Sequence, residues 1–390
     1  MNKAIWSIST LKKTVNPILQ KKLSPNQYIF RFFSGLIIIN IILGAFMYLL
    51  DPWLYFRYNA RNDYWLEGAY VSAGLIRNMD YDTAVIGPSV FQDFRMQWFR
   101  DKLQIAPVNL SVKGLDNVET VAIANAVARH GKAKTMYICF VPYMFERNID
   151  KGRIPIYLLD DSRINDYRYL YAYEAWFKFM PLDVATFFLN RINPNILSRY
   201  ASLWDPDSLG NELTRYQFGA DIALRNAGIP LKQTELSLDD KQGQLEGMKA
   251  NFTRYIEGLK PVANTGIDYY FVLPPQSALY WYHQQLLGKI GLFQEFLQYV
   301  VEQMEVYPNI SIVDCLTMEG TENLNHYRDS SHFDLVLQEK MVDYIATGEH
   351  IITSNNFPEM LARWSRIIDD FSHLYGTITN VSAIDCCYTK

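Results

Sequence analysis

The chain has 390 residues, of which 49% are hydrophobic and 20% charged, and a formal net charge of −4. That supply of apolar side chains can build a sizeable core and excludes disorder as the main state. The acidic balance argues against a nucleic-acid binder, and 20 glycines and 16 prolines exclude collagen-like and low-complexity chains.

The charge is unevenly placed. Residues 1–31 hold Lys3, Lys12, Lys13, Lys21, Lys22 and Arg31 and no acid, so six of the 37 bases sit there and the other 31 face all 41 acids. A basic head on an acidic body suggests a membrane boundary between them. Phe32–Leu50 (FFSGLIIINIILGAFMYLL) follows at once, a charge-free run of 19 residues. At about 1.5 Å per residue it spans roughly 30 Å, the thickness of a bilayer core. Tyr28, Tyr48 and Trp53 stand at its edges, where aromatic rings favour the interface. The basic flank predicts a single-pass inner-membrane anchor over 32–50, with residues 1–31 in the cytoplasm and the main domain exported. A cleaved signal peptide would have an unusually long basic region and lacks a small-x-small site before Asp51; a buried core helix is the third reading.

Residues 51–79 read as a juxtamembrane lead-in rich in aromatic side chains. From there apolar runs alternate with helical stretches. Strands are expected at Tyr81–Gly87, Ala106–Val112, Lys134–Val141, Asp268–Leu273 and Ile310–Cys315. Helices are expected over 90–104, Val118–His130 with a Gly131 cap, Tyr282–Tyr307, Asp334–Ala346 and Phe357–Leu374. Short, uniformly apolar strands between helices indicate an α/β fold with a parallel sheet covered on both faces, over about residues 80–350. Residues 143–266 interrupt it and read as a mostly helical insertion over the carboxyl edge of the sheet, serving either as a lid or as packed elaboration. Residues 351–390 form a C-terminal helix and tail. The four cysteines form no CxxC pair, so a zinc site is not expected, and buried thiols are the default.

In open α/β sheets ligands bind beyond the carboxyl ends of the strands. After the first strand comes Gly87-Pro88-Ser89-Val90, entering a helix. A serine there can present its hydroxyl at the sheet edge and its N–H at a helix N-terminus, as an acyl-transfer nucleophile requires. Taken singly it is more readily a plain helix cap. After the second strand, Gly114 allows a backbone N–H to approach a ligand, or is simply a turn residue. Beyond the fifth strand lies His326-Tyr327-Arg328-Asp329-Ser330-Ser331-His332. An aspartate that holds an imidazole in one tautomer beside a serine makes a triad. Among the six histidines the Asp-x-x-His spacing occurs twice, at Asp329/His332 and Asp370/His373, and position at the active edge favours the first. Arg95 could meet an anionic substrate, although such an arginine more often lies on a solvated face.

Ser89, Gly114, Asp329 and His332, in that order, resemble the SGNH (GDSL-like) hydrolase family. The strings NLSVKG and NHYRDSSHF are its closest echoes, and its membrane-anchored bacterial envelope members, of the D-alanine-transfer and alginate-acetylation type, are the nearest in kind. The resemblance implies a flavodoxin-like three-layer sandwich of about five parallel strands. It also implies a serine esterase or acyltransferase acting on a cell-envelope glycan or glycopolymer, with no cofactor and other polymer-assembly proteins as partners. Ser89 would be the nucleophile, with Asp329 and His332 completing the triad and the Ser89 and Gly114 N–H groups binding the oxyanion. Two positions depart from the family pattern. Pro88 stands where an Asp is common, and Val141-Pro142-Tyr143 stands where an Asn usually donates to the oxyanion, a donor worth roughly 10²–10³ in rate. The Tyr143 hydroxyl could substitute. Two other readings stay open: a catalytically weak or inactive domain that serves as a binding or scaffold component, and a lipase-like enzyme.

Overall fold

The computed structural model describes residues 24–51, 53–57, 68–92, 94–146, 152, 154–160, 162–171, 217–226, 237–263 and 266–375. The basic head up to residue 23, residues 172–216 and 227–236 of the insertion, and Cys386 and Cys387 lie outside the described residues.

Helix α1 (Pro25–Leu50) opens with a capping box in which Ser24 and Gln27 satisfy each other's backbone N–H. It is long and apolar enough to cross a membrane. Its flanks are exposed from Tyr28 to Ile42, and only its last turns pack on the domain, with Met47 fully buried. Asp51 ends it in the left-handed conformation at φ 41°, and the Arg57 guanidinium donates to the carbonyls of Tyr48 and Leu49. Helix α2 (Gly68–Asn78) then leads into the sheet. At its centre Gly74 lies under the backbone of Trp53 and Leu54, where an added Cβ would fall 2.2 Å from the Trp53 carbonyl oxygen.

The sheet contains β1 (Thr83–Ile86), β2 (Pro107–Asn109), β3 (Thr135–Cys139), β4 (Asp268–Leu273), β5 (Ile310–Asp314) and β6 (Ile351–Ile352), in spatial order 2-1-3-4-5-6. The first five run parallel and β6 pairs antiparallel with β5. Alternation along each strand feeds two cores. Ala84, Ile86, Met136, Ile138 and Phe271 face one, and Val85, Tyr137, Cys139, Val272 and Val313 face the other. Cys139 and Cys315 are both buried free thiols.

On the first face lie α5 (Asn117–His130), α8 (Leu238–Ala263) and α10 (Ile290–Met304), in contact through α8. On the second lie α3 (Ser89–Gln92), α4 (Met96–Leu103) and α11 (Leu335–Thr347). Helix α9 (Ala278–Leu286) meets the terminal α12 (Phe357–Tyr375) through Trp281 and Trp364, whose rings lie 4.6 Å apart. The described parts of the insertion go to separate places. Helix α6 (Arg163–Leu170) packs on α1, α7 (Ala220–Asn226) packs near the carboxyl edge of the sheet, and α8 covers a sheet face.

Three expectations change. The helix expected over 90–104 is two helices, α3 and α4, so Arg95 is the N-cap residue of α4 and does not lie inside a helix. The helix expected over 282–307 is likewise two, α9 and α10, broken at Gly288, which takes φ 65°. A sixth, antiparallel strand also closes the sheet beyond β5.

Candidate active site

The chain leaves β1 through Gly87-Pro88 directly into Ser89, the first residue of α3. A Cβ at Gly87 would fall 2.6 Å from the Cβ of Cys139 and 2.8 Å from that of Phe91, so only glycine lets this turn cross the end of β3. The Phe91 N–H closes the turn on the Pro88 carbonyl at 2.9 Å. The neighbouring β2 turn is bound to it, since the Val112 N–H donates to the Gly87 carbonyl at 2.9 Å. Asn109 strengthens this joint. Its amide donates to the carbonyls of Phe91 and Gln92, and its oxygen accepts from the Ser111 N–H. Two residues past Val112, Gly114 takes φ 69°, which L side chains rarely adopt. Ser89 and Gly114 thus lie on adjacent turns at the carboxyl edge, beside the point between β1 and β3 where strand order reverses.

Asp329 and His332 arrive on a small hairpin. Tyr327 and Phe333 form an antiparallel bridge and are both buried in the second core. Below them the Asp334 N–H donates to the His326 carbonyl at 2.8 Å, and His326 Nδ1 meets the Asp334 carboxylate at 2.8 Å. Above them the Arg328 N–H donates to the His332 carbonyl at 3.1 Å. At the tip, Asp329 Oδ1 accepts the N–H groups of Ser331 and His332, both at 2.8 Å. Two other elements hold this tip. Ser277, after β4, donates its N–H and hydroxyl to the Ser330 carbonyl. Asn226, at the end of α7, donates to the Arg328 carbonyl at 2.7 Å, and the Gly219 N–H donates to that of Tyr327.

The hairpin brings His332 to Ser89 across 243 positions of sequence, with Nε2 and Oγ 2.9 Å apart. On the other side of the ring, Nδ1 lies 2.8 and 3.0 Å from the two Asp329 oxygens. An ionised carboxylate only accepts, so Nδ1 carries the proton and Nε2 presents its lone pair to the hydroxyl. Burial by itself would raise the Asp329 carboxyl. The His332 imidazole and the two backbone N–H groups outweigh it and hold the pKa down at about 2. Asp329 is therefore ionised at neutral pH.

Tyr143 is the second residue of the 3₁₀ turn Pro142–Phe145 that follows β3, with its ring 5.9 Å from that of Tyr280. Burial first, and then the neighbouring Cys139 and Asp329, push its phenol well above the usual range, so it stays a neutral donor within electrostatic reach of the dyad. Arg95 has no contact with Ser89 or His332 among the described residues. Its guanidinium sits 5.5 Å from the Trp98 ring centroid, and its Nε is buried without a hydrogen-bond partner. The second Asp-x-x-His pair, Asp370 and His373, is exposed on α12. Sequence reading gave no role to Asn109 or His326. The first stands inside the NLSVKG string and the last opens the HYRDSSH run, so their neighbours were the available signal. Among the described residues no group of three or more His, Cys, Asp or Glu is placed to hold a metal ion.

No family model and no curated protein matches the chain. Among solved structures, one from Streptococcus pneumonia, provisionally described as a platelet activating factor, is similar over 72% of this chain and 90% of its own, at 10% identity and a TM-score of 0.35. A likeness at that level bears on neither fold family nor chemistry.

Proposed function

We propose that the chain is a membrane-anchored serine esterase or O-acyltransferase with a flavodoxin-like, SGNH-type domain. The observation that carries the reading is the continuous relay of Asp329, His332 and Ser89, with Ser89 Oγ 2.9 Å from His332 Nε2. Ser89 Oγ attacks the carbonyl carbon of an acyl ester while its proton passes to His332 Nε2. Asp329 keeps the ring in the productive tautomer and stabilises the imidazolium. The backbone N–H groups of Ser89 and Gly114 receive the oxyanion, with the neutral Tyr143 phenol as the candidate for the donor that Asn would supply. Collapse of the intermediate expels the alkoxide, which takes the proton from His332 and leaves an acyl-Ser89 ester. A water or a sugar hydroxyl, deprotonated by His332, then takes the acyl group and restores the serine.

The anchor supports a substrate at the cell envelope, an acyl ester of a glycan or glycopolymer. The main domain then lies outside the inner membrane, alongside other polymer-assembly proteins. A fluorophosphonate probe tests the nucleophile, and covalent labelling of Ser89 is expected. Ser89→Ala should abolish labelling and lower turnover of an activated acetyl ester by roughly 10⁴-fold or more. A folded wild-type chain that neither labels nor turns over would instead assign the domain to binding or scaffolding. The Val141-Pro142-Tyr143 turn, which lacks the Asn donor, favours that second reading.

A further inference from the structure

We propose that α6 is a second membrane contact: its outer face rests in the phospholipid headgroups beside the point where α1 leaves the bilayer. The inference rests on α1 spanning a membrane. The charge-free run Phe32–Leu50 has 19 residues, about 28 Å of helix at about 1.5 Å per residue, so it has none to spare over a core about 30 Å thick. Yet the domain grips the helix before that run ends. A Cβ added to Gly44 would fall 2.8 Å from the Tyr171 hydroxyl, so that side chain covers the helix six residues short of Leu50, about 9 Å below its end. Met47 is fully buried one turn higher, and the Tyr169 hydroxyl donates to Asp51 just past the end. The side chains of Tyr169 and Tyr171 therefore meet α1 at two levels, one just past the end of the charge-free run and one within it. No length of helix remains to hold the domain off the surface.

The helix that ends at these tyrosines, α6, has the composition the interface selects. Asn165 and Tyr169 form the buried side of α6, and Asp166 pairs with Arg77 at 3.2 Å. The exposed side, in order around the helix, is Arg163, Tyr167, Ile164 and Arg168, within an arc of about 140° at about 100° per residue. Ile164 is 72% and Tyr167 67% exposed, and Ile156 is 42% exposed in the turn before. An isoleucine and a tyrosine between two arginines suit the headgroup layer: the ring and alkyl groups leave water and Arg163 stays with phosphates, while the Arg168 guanidinium, which donates to Asn165 Oδ1 at 3.2 Å and lies 4.8 Å from the Tyr157 ring, keeps its other N–H groups at the exposed face. None of these four residues is acidic.

Quenching in vesicles by phospholipids spin-labelled at the headgroup or at mid-chain tests this on the full chain, with Cys386 and Cys387 changed to serine. A small fluorophore is attached in turn at Ile38→Cys in the anchor, at Tyr167→Cys, and at Glu302→Cys, an exposed position on α10. The expected result is loss of emission at position 167 with the headgroup label, at 38 with the mid-chain label, and at 302 with neither. Quenching at 38 with position 167 as bright as 302 overturns the proposal while leaving the anchor intact. A bright position 38 means that α1 does not span, which overturns the anchor and this inference together.

Discussion

Two aspartates in this molecule are held by the same local device and end with opposite electrostatics. Asp329 accepts two backbone N–H groups at the tip of the hairpin, and Asp51 accepts three, those of Tyr55, Phe56 and Arg57, at the end of α1. Their fourth-wall partners differ. Asp329 faces the His332 imidazole, which becomes a cation when it takes a proton, and its pKa falls to about 2. Asp51 faces the Tyr169 hydroxyl, its donors are neutral, and burial at 1% exposure raises its pKa despite four hydrogen bonds. Backbone amides can position a carboxylate in either place. A partner able to hold positive charge suits one of them to a proton relay, and the lack of one leaves the other as a structural rivet between α1 and the domain.

The comparison breaks most sharply at the hairpin. Asp329→Asn preserves the size of the side chain but no longer fixes the Nδ1–H tautomer, and ester turnover should fall by about 10⁴-fold with the fold retained. Steady-state kinetics beside a circular dichroism spectrum reads both. The same exchange at the other aspartate should do the reverse. Asp51→Asn puts an amide group against N–H donors and should cost about 1–3 kcal/mol of stability, seen as a lower melting temperature in detergent, with turnover per folded molecule unchanged. A catalytic loss at Asp51 would erase the division of labour.

Acid titration of stability sharpens the contrast, because the signs are opposite. The folded pKa of Asp329 lies below its ordinary 3.8, so its contribution is complete above 3.8 and is lost as pH falls from there to about 2. That of Asp51 is raised, so the folded chain takes up this proton first, and its contribution grows as pH falls toward 3.8. Melting curves of the two asparagine variants against wild type, taken down the acid limb, should therefore diverge in opposite directions. The smallest effect belongs to Ser277→Ala. It removes the hydroxyl bond to the Ser330 carbonyl and the cap on the Tyr280 N–H but keeps the backbone bond, so turnover should fall by about fivefold, for about 1 kcal/mol.

Much of this was legible in the residue order. DYYFVL before two prolines can be little else than a buried strand, and β4 occupies those six residues. Gly87-Pro88-Ser89 and Val112-Lys113-Gly114 were recognisable as turns at strand ends because the apolar runs stop there. What failed were continuity and pairing. Helix periodicity carries on through Arg95 and through Gly288, although the chain turns at both. Two residues, Ile351 and Ile352, are too few to announce a strand, and only pairing with Ile312 and Val313 makes them one.

The sequence by itself determined the long apolar helix α1, the alternation of strands and helices that builds a parallel sheet, and the strand ends that bear Ser89 and Gly114, because each of these is set by burial and backbone preference over a few neighbouring residues. Only the tertiary structure decided that Asp329-x-x-His332, rather than Asp370-x-x-His373, meets the serine. That choice depends on a hairpin plugged into the core by Tyr327 and Phe333 and held by Ser277 and Asn226, and contacts between residues so distant in the chain leave no local pattern to read.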